Sequence, residues 1–215
     1  MSQKKYIGLD IGSVSVKAVL INERKEILEN HYVRSHGQTV ETFLLVLKDI
    51  FNRTHIDDID GIAITGTGGK LVSELMNIAF INEVVAHSTA TTTLYPEVRT
   101  IIEIGGEDSK LMLIERDSST QQTKVSDFSM NTMCAAGTGS FLDQQATRLG
   151  VAIEKEFGEL ALKSKNPPRI AGRCSVFAKT DMIHLQQEGT PVYDIVAGLC
   201  YAMARNFKSN IGKGK

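Results

Sequence analysis

The sequence predicts an α/β protein made of two related lobes, and three observations carry that prediction. First, a stretch near the N-terminus returns later: Asp10-Ile-Gly-Ser-Val-Ser-Val-Lys-Ala-Val-Leu-Ile21 and Glu103-Ile-Gly-Gly-Glu-Asp-Ser-Lys-Leu-Met-Leu-Ile114 share Ile, Gly, Lys, Leu and Ile at a constant offset of 93 residues (Asp10 to Glu103), each headed by an acid. A repeat constrains topology more than local propensity does. Second, strand-like and helix-like patterns alternate along the chain, which favours helices packed on a sheet over a sandwich. Third, 215 residues at 42% hydrophobic composition can bury a sizeable core in one large or two small domains.

Each copy of the repeat reads as a hairpin: an apolar strand (Tyr6 to Leu9, Thr100 to Ile102), an acid, a glycine turn, then a second strand carrying Lys17 or Lys110. Glu26 to Arg34 supplies a third strand. Val40, Phe43, Leu44, Leu47 and Phe51 recur at the spacing of a helix lying on a sheet. Asp60 to Thr65 is a short buried strand ending in Gly66-Thr-Gly-Gly69, and Asn82 to His87 is expected to be another strand. Residues 1–95 thus follow βββαβαβ, with a break at Tyr95-Pro96. The second lobe, 96–215, restarts with Thr100 to Ile114 and a third strand at Lys124 to Phe128, then departs from the first. Helices are expected over Gly137 to Leu149, Ile153 to Lys163 and Val192 to Asn210, with a break at Pro167-Pro168. Val192, Ile195, Val196, Leu199, Met203 and Phe207 form the apolar side of the last helix. No closing strand follows it, so this lobe is expected to be incomplete at its C-terminus and the sequence to be a piece of a longer chain.

Charge narrows the partners. With 24 Lys plus Arg against 25 Asp plus Glu, the formal net charge is -1, which gives no electrostatic footprint for nucleic acid or a membrane surface. No apolar stretch approaches the about 20 residues that span a bilayer. The start, MSQKKYIGLDIG, is a charged tip feeding a short apolar run, unlike a signal peptide. Cys134, Cys174 and Cys200 are odd in number and too few for a disulfide framework, so the cytoplasm is the expected compartment.

A repeated strand, acid and glycine turn suggests a phosphate site gripped from two sides. Glycine lets backbone N–H groups approach phosphate oxygens, and the acids can hold Mg²⁺ through water. A single such turn also describes an ordinary hairpin; two in register favour phosphate. Cys134, in Asn131-Thr-Met-Cys-Ala-Ala-Gly-Thr-Gly-Ser-Phe-Leu-Asp143, and Cys174, in Arg173-Cys-Ser-Val-Phe-Ala-Lys-Thr-Asp-Met-Ile183, each stand immediately before a predicted helix. A helix N-terminus stabilises a thiolate and an anionic cluster bound to it. Two thiolates fill half of a [4Fe–4S] shell, which points to a second copy of the chain and one cluster on a two-fold axis. Zn²⁺ is the other metal that suits thiolates. Cys200, amid apolar residues of a helix, reads as a buried structural thiol. Gly66 either lines the nucleotide cleft or ends a strand, and Gly137-Thr-Gly139 either binds phosphate or permits tight packing. His31, His36, His55 and His184 have no spacing that suggests a metal or a triad.

On these residues the chain resembles the acetate kinase, sugar kinase, actin and heat-shock chaperone superfamily of ATP-binding folds. Asp10-Ile-Gly-Ser13 is similar to its first phosphate motif and Glu103-Ile-Gly-Gly-Glu-Asp108 to its second. The resemblance implies two ribonuclease-H-like lobes of the actin-like ATPase fold. It departs at Glu103, where the superfamily usually has Asp, and lacks the later Gly-Gly pair that supports adenosine. Cys-Ala-Ala-Gly-Thr-Gly-Ser-Phe-Leu-Asp and Arg-Cys-Ser-Val-Phe-Ala sharpen it: nearly all 215 residues resemble the ATP-dependent activators of 2-hydroxyacyl-CoA dehydratases, relatives of the ATPase subunits of benzoyl-CoA reductase.

That resemblance implies a homodimer bridged by one [4Fe–4S] cluster on Cys134 and Cys174 of each copy. ATP hydrolysis would push one low-potential electron, taken from a donor such as ferredoxin or flavodoxin, into a dehydratase or related reductase. By position, Asp10 and Asp108 hold Mg²⁺ and order the attacking water, and Lys17 or Lys110 balances the γ-phosphate, Lys17 being the catalytic choice. Gly12, Ser13, Val14, Gly66, Gly105, Gly106, Glu107, Lys110, Gly137 and Gly139 are the expected nucleotide-binding residues. Glu83 and His87 lie in a segment that family members also carry. The alternative is a small-molecule kinase of the same fold without a cluster, and a third reading is a non-catalytic nucleotide sensor.

Overall fold

The computed structural model describes residues 4–117, 123–131 and 134–213. Thr132 and Met133 of the first cysteine motif lie outside the described residues. The chain divides into two compact units, Met1–Pro96 and Glu97–Lys215.

In the first unit, β1 (Lys5–Ile11), β2 (Ser15–Asn22) and β3 (Ile27–Arg34) form an antiparallel meander. β4 (Ile59–Thr65) and the two-residue β5 (Ala79–Phe80) then add in parallel, giving the order β3-β2-β1-β4-β5. The register explains the core. Ile7, Leu9 and Ile11 stand opposite Leu20, Ala18 and Val16, so period-two alternation puts all six on one face. Phe43, Val46, Leu47 and Ile50 of α1 (Thr39–Phe51) join that cluster, with Ile64 and with Val72 of α2 (Gly69–Met76). The buried stripe of α1 is therefore rotated from the expected one, since Val40 and Leu44 are exposed. Asp10 and Lys17 fall on the opposite face of the hairpin by the same alternation.

One expected element is corrected. Asn82 to His87 is not a strand: it opens α3 (Glu83–Leu94), with the Asn82 side chain accepting the Val84 N–H at 2.9 Å. This is a helix N-cap, and it overrides the β preference of Val84 and Val85. The parallel strand is instead Ala79–Phe80.

The second unit holds an antiparallel sheet, β6 (Thr100–Ile104), β7 (Ser109–Arg116) and β8 (Thr123–Asn131), in the order β6-β7-β8. Among the described residues, β6 is laddered only to β7, whereas its counterpart β1 is flanked on both sides. A short 3-10 turn (Ala135–Gly137) leads into α4 (Gly139–Leu149), followed by α5 (Phe157–Lys163), α6 (Ser175–Gln187) and α7 (Val192–Asn210). The helix expected from Ile153 starts only at Phe157, because the Ala152 carbonyl collects the N–H groups of Lys155, Glu156 and Phe157 in a turn. Ile195, Val196, Leu199 and Ala202 of α7 form the centre of a core completed by Phe141, Ala146, Phe157, Ile170, Ala178 and Met182. No helix among the described residues is long and apolar enough to cross a membrane.

Candidate functional site

The two hairpins close in the same way. Gly12 N–H donates to Ser15 O at 3.0 Å, and Gly105 N–H, at the 93-residue offset, donates to Asp108 O at 2.9 Å. In both, the acid one residue before the end of the first strand stands directly across the ladder from the lysine of the second: Asp10 from Lys17, Glu103 from Lys110. The repeat in sequence is thus a repeat in geometry.

Around the first turn, the carbonyls are the groups tied down. Ser35 N–H donates to Val14 O at 2.9 Å and Ser35 Oγ to Ser13 O at 3.0 Å. Lys17 Nζ reaches Asp10 Oδ2 at 2.8 Å and lies 6.0 Å from the Tyr32 ring centre, while 42% of its side chain stays exposed. Gly66 has φ +94°, and a Cβ there would fall 2.5 Å from both Asp10 Oδ1 and Ile11 O, so the chain after β4 runs against the Asp10 carboxylate only because this residue is glycine. Thr65, which stands opposite Asp10 in the β1–β4 ladder, has a buried hydroxyl with no hydrogen-bond partner among the described residues. A buried polar atom left without a partner marks a place where a ligand or water completes the set. Sequence reading missed Thr65; its only signal is that it ends a buried strand just before the glycine run.

The second turn is built differently. Lys110 Nζ donates to Glu103 Oε2 at 2.9 Å and to Asp108 Oδ1 at 2.8 Å, with only 3% of its side chain exposed. A Cβ on Gly105 would come within 2.9 Å of the carboxylate oxygens of both Glu103 and Asp108, so glycine is what lets them converge. Gly106 and Glu107 complete the loop, with Glu107 exposed. The start of α4 docks on it: Gly139 N–H donates to Gly105 O at 2.7 Å and Ser140 N–H to Gly106 O at 3.0 Å. The Gly137 and Gly139 amides are thus engaged within the chain, Gly137 N–H on Cys134 O. Gly137 is buried, and a Cβ on it would lie 2.5 Å from Asn206 Oδ1, which supports the packing role.

Both cysteines lie where helical segments begin. Cys134 precedes the 3-10 turn and Cys174 precedes α6, each half-buried and neither in a disulfide. Cys134 Sγ lies 3.5 Å from the carbonyl of Arg173, the residue before Cys174, although 39 positions separate the two in sequence. The fold therefore brings the two cysteine loops together within one unit. Thiols at helix starts, half-buried and on loops that meet, fit a soft metal or an iron–sulfur cluster, and they supply two ligands of the four that such a cluster takes.

The remaining candidates lie elsewhere. Glu83 and His87 are on α3 in the first unit, both half-buried. Cys200 is half-buried against the second core, and burial pushes its thiol up from the ordinary range. His31, read as an ordinary residue, sits in a cluster: its Nε2 is 2.5 Å from Glu29 Oε1 and its Nδ1 3.5 Å from Asp49 Oδ2. The Arg53 guanidinium meets both carboxylates and so supplies the cation of this group.

Set against known proteins, residues 7–214 match the model of the BadF/BadG/BcrA/BcrD ATPase family. The chain is 32% identical over 205 residues to a 2-hydroxyisocaproyl-CoA dehydratase activator of Clostridioides difficile, covering 94% of this chain and 74% of that one. In structure it is similar to component A of the Acidaminococcus fermentans (R)-2-hydroxyglutaryl-CoA dehydratase, at TM-score 0.84 and 29% identity, covering 96% and 77% of the two chains. It is equally similar to the activator of the Clostridium difficile 2-hydroxyisocaproyl-CoA dehydratase with bound ADPNP, at TM-score 0.83 and 32% identity, covering 95% and 74%.

Proposed function

The chain belongs to the BadF/BadG/BcrA/BcrD ATPase family, and from that premise we propose that it is an ATP-hydrolysing activator that delivers low-potential electrons to a 2-hydroxyacyl-CoA dehydratase or a related CoA-substrate reductase. The observation that carries this reading is the meeting of the two cysteine loops at Cys134 and Arg173–Cys174. Cys134 and Cys174 would hold half of a [4Fe–4S] cluster and a second copy of the chain the other half, making the active form a homodimer. When bound, the cluster supplies one-electron chemistry at low potential; an upstream donor such as ferredoxin or flavodoxin would reload it.

The hairpins do the nucleotide work. Asp10 and Asp108 would hold Mg²⁺ and orient the attacking water, and the exposed Lys17, released from Asp10, would neutralise charge on the terminal phosphate. Ser13, Val14 and Gly106 would offer backbone N–H groups to the phosphates, whereas the Gly105 N–H is spent on Asp108 O within the turn. Lys110 instead fixes Glu103 and Asp108, its charge offsetting the repulsion between the two carboxylates. Because α4 starts on the carbonyls of the second turn, a shift of that turn is passed by two hydrogen bonds to the segment that begins at Cys134.

The test is iron and acid-labile sulfide per chain after anaerobic reconstitution, with the mass in solution measured in parallel. About two irons per chain in a dimer are expected from one four-iron cluster shared by two chains, with loss on Cys134→Ala or Cys174→Ala. Metal-free protein that still hydrolyses ATP would sink the electron-transfer reading and leave a kinase or sensor.

A further inference from the structure

α7 buries a polar residue on its apolar stripe. Asn206 continues the spacing of Ile195, Leu199 and Ala202, yet it is an amide with 0% exposure. Burying an amide is costly unless all its groups are bonded. Its Nδ2 donates to Cys134 Sγ at 3.3 Å and to Gly172 O at 2.5 Å, and its Oδ1 accepts from Asn210 Nδ2 at 3.0 Å. This set fixes the orientation of the amide: flipped, its oxygen would face a sulfur and a carbonyl, and its nitrogen another donor. Gly137 leaves the space the amide occupies. One side-chain nitrogen therefore ties the Cys134 loop to the loop that leads, through Gly172 and Arg173, to Cys174.

The geometry points to Asn206 as the positioning residue of the Cys134 sulfur, donating an N–H···S hydrogen bond that holds the two cysteine loops in register. The inference rests on the cluster reading for its redox consequence but not for its local one. A hydrogen bond to a ligand sulfur favours the reduced, more negative cluster, so removing it lowers the reduction potential. A structural asparagine that merely fills space has no such effect.

Two variants and two readouts decide it. Asn206→Asp keeps the shape and replaces the donor with an acceptor; Asn210→Ala leaves Asn206 in place but removes the group that orients it. In metal-free protein, amide hydrogen exchange read by mass spectrometry is expected to speed up several-fold over the Cys134 and Gly172–Cys174 loops in Asn206→Asp and about twofold in Asn210→Ala, with α1 of the first unit unchanged as the internal control. In the reconstituted protein, the midpoint potential is expected to fall in the same order. Folded Asn206→Asp protein with parent-like exchange in both loops overturns the proposal. If Asn206→Asp does not fold, parent-like exchange in Asn210→Ala overturns it. Parent protein that takes up no iron removes the cluster reading, and the exchange still decides the role of Asn206.

Discussion

The two hairpins share a turn hydrogen bond, a cross-strand acid–lysine pair and a 93-residue offset, yet Lys17 keeps 42% of its side chain exposed while Lys110 keeps 3%. One position contributes to the difference. Where the first turn ends in Ser15, the second ends in Asp108, whose carboxylate gives Lys110 a second acidic partner beside Glu103. A lysine with one carboxylate at the surface is held loosely and can be recruited by a ligand; one buried between two carboxylates belongs to the structure. Duplicated backbone geometry thus supports one responsive lysine and one fixed lysine.

Three substitutions test that contrast, from the largest expected effect to the smallest. Lys110→Met strands Glu103 and Asp108 beside one another and should cost about 3–5 kcal/mol in urea unfolding, the range for breaking a buried ion pair. Asp108→Ser makes the second hairpin resemble the first and should cost about 1.5–3 kcal/mol, the worth of a hydrogen bond to a charged group. Lys17→Met should change stability by about 1 kcal/mol or less, as for exposed pairs, while ATP hydrolysis falls steeply. Equal losses from Lys17→Met and Lys110→Met would break the comparison; a cost for Lys17→Met that vanishes at high salt, beside a salt-insensitive one for Lys110→Met, would sharpen it.

Much of this was legible in the sequence, for physical reasons. Strand alternation and the glycine turns gave both hairpins, and the repeat with the two cysteine motifs pointed to the family. Local reading failed where tertiary contacts decide. The α3 segment has no apolar stripe and buries none of its residues, so periodicity could not mark it as a helix; only the Asn82 cap could have. The stripe of α1 turned because Val46 and Ile50, and not Val40 and Leu44, meet the sheet. Whether Asp108 turns toward Lys110 depends on how the loop closes, which residue type alone does not fix. Asn206 stands 72 positions from Cys134, and its signal, a polar residue interrupting the apolar side of α7, is visible only once that side is known to be buried.

The free side of β6 bears on how the protein behaves in a tube. Thr100–Ile104 has no ladder partner on that side among the described residues, and Ile102 and Ile104 are exposed on one face of the same strand. An unprotected apolar strand edge is a template for any other extended backbone. A formal charge of -1 supplies little repulsion between molecules to oppose such pairing. Colloidal stability is therefore limited at this edge: self-association along β6 should grow as concentration rises, and Ile102→Lys should raise solubility without touching either hairpin turn.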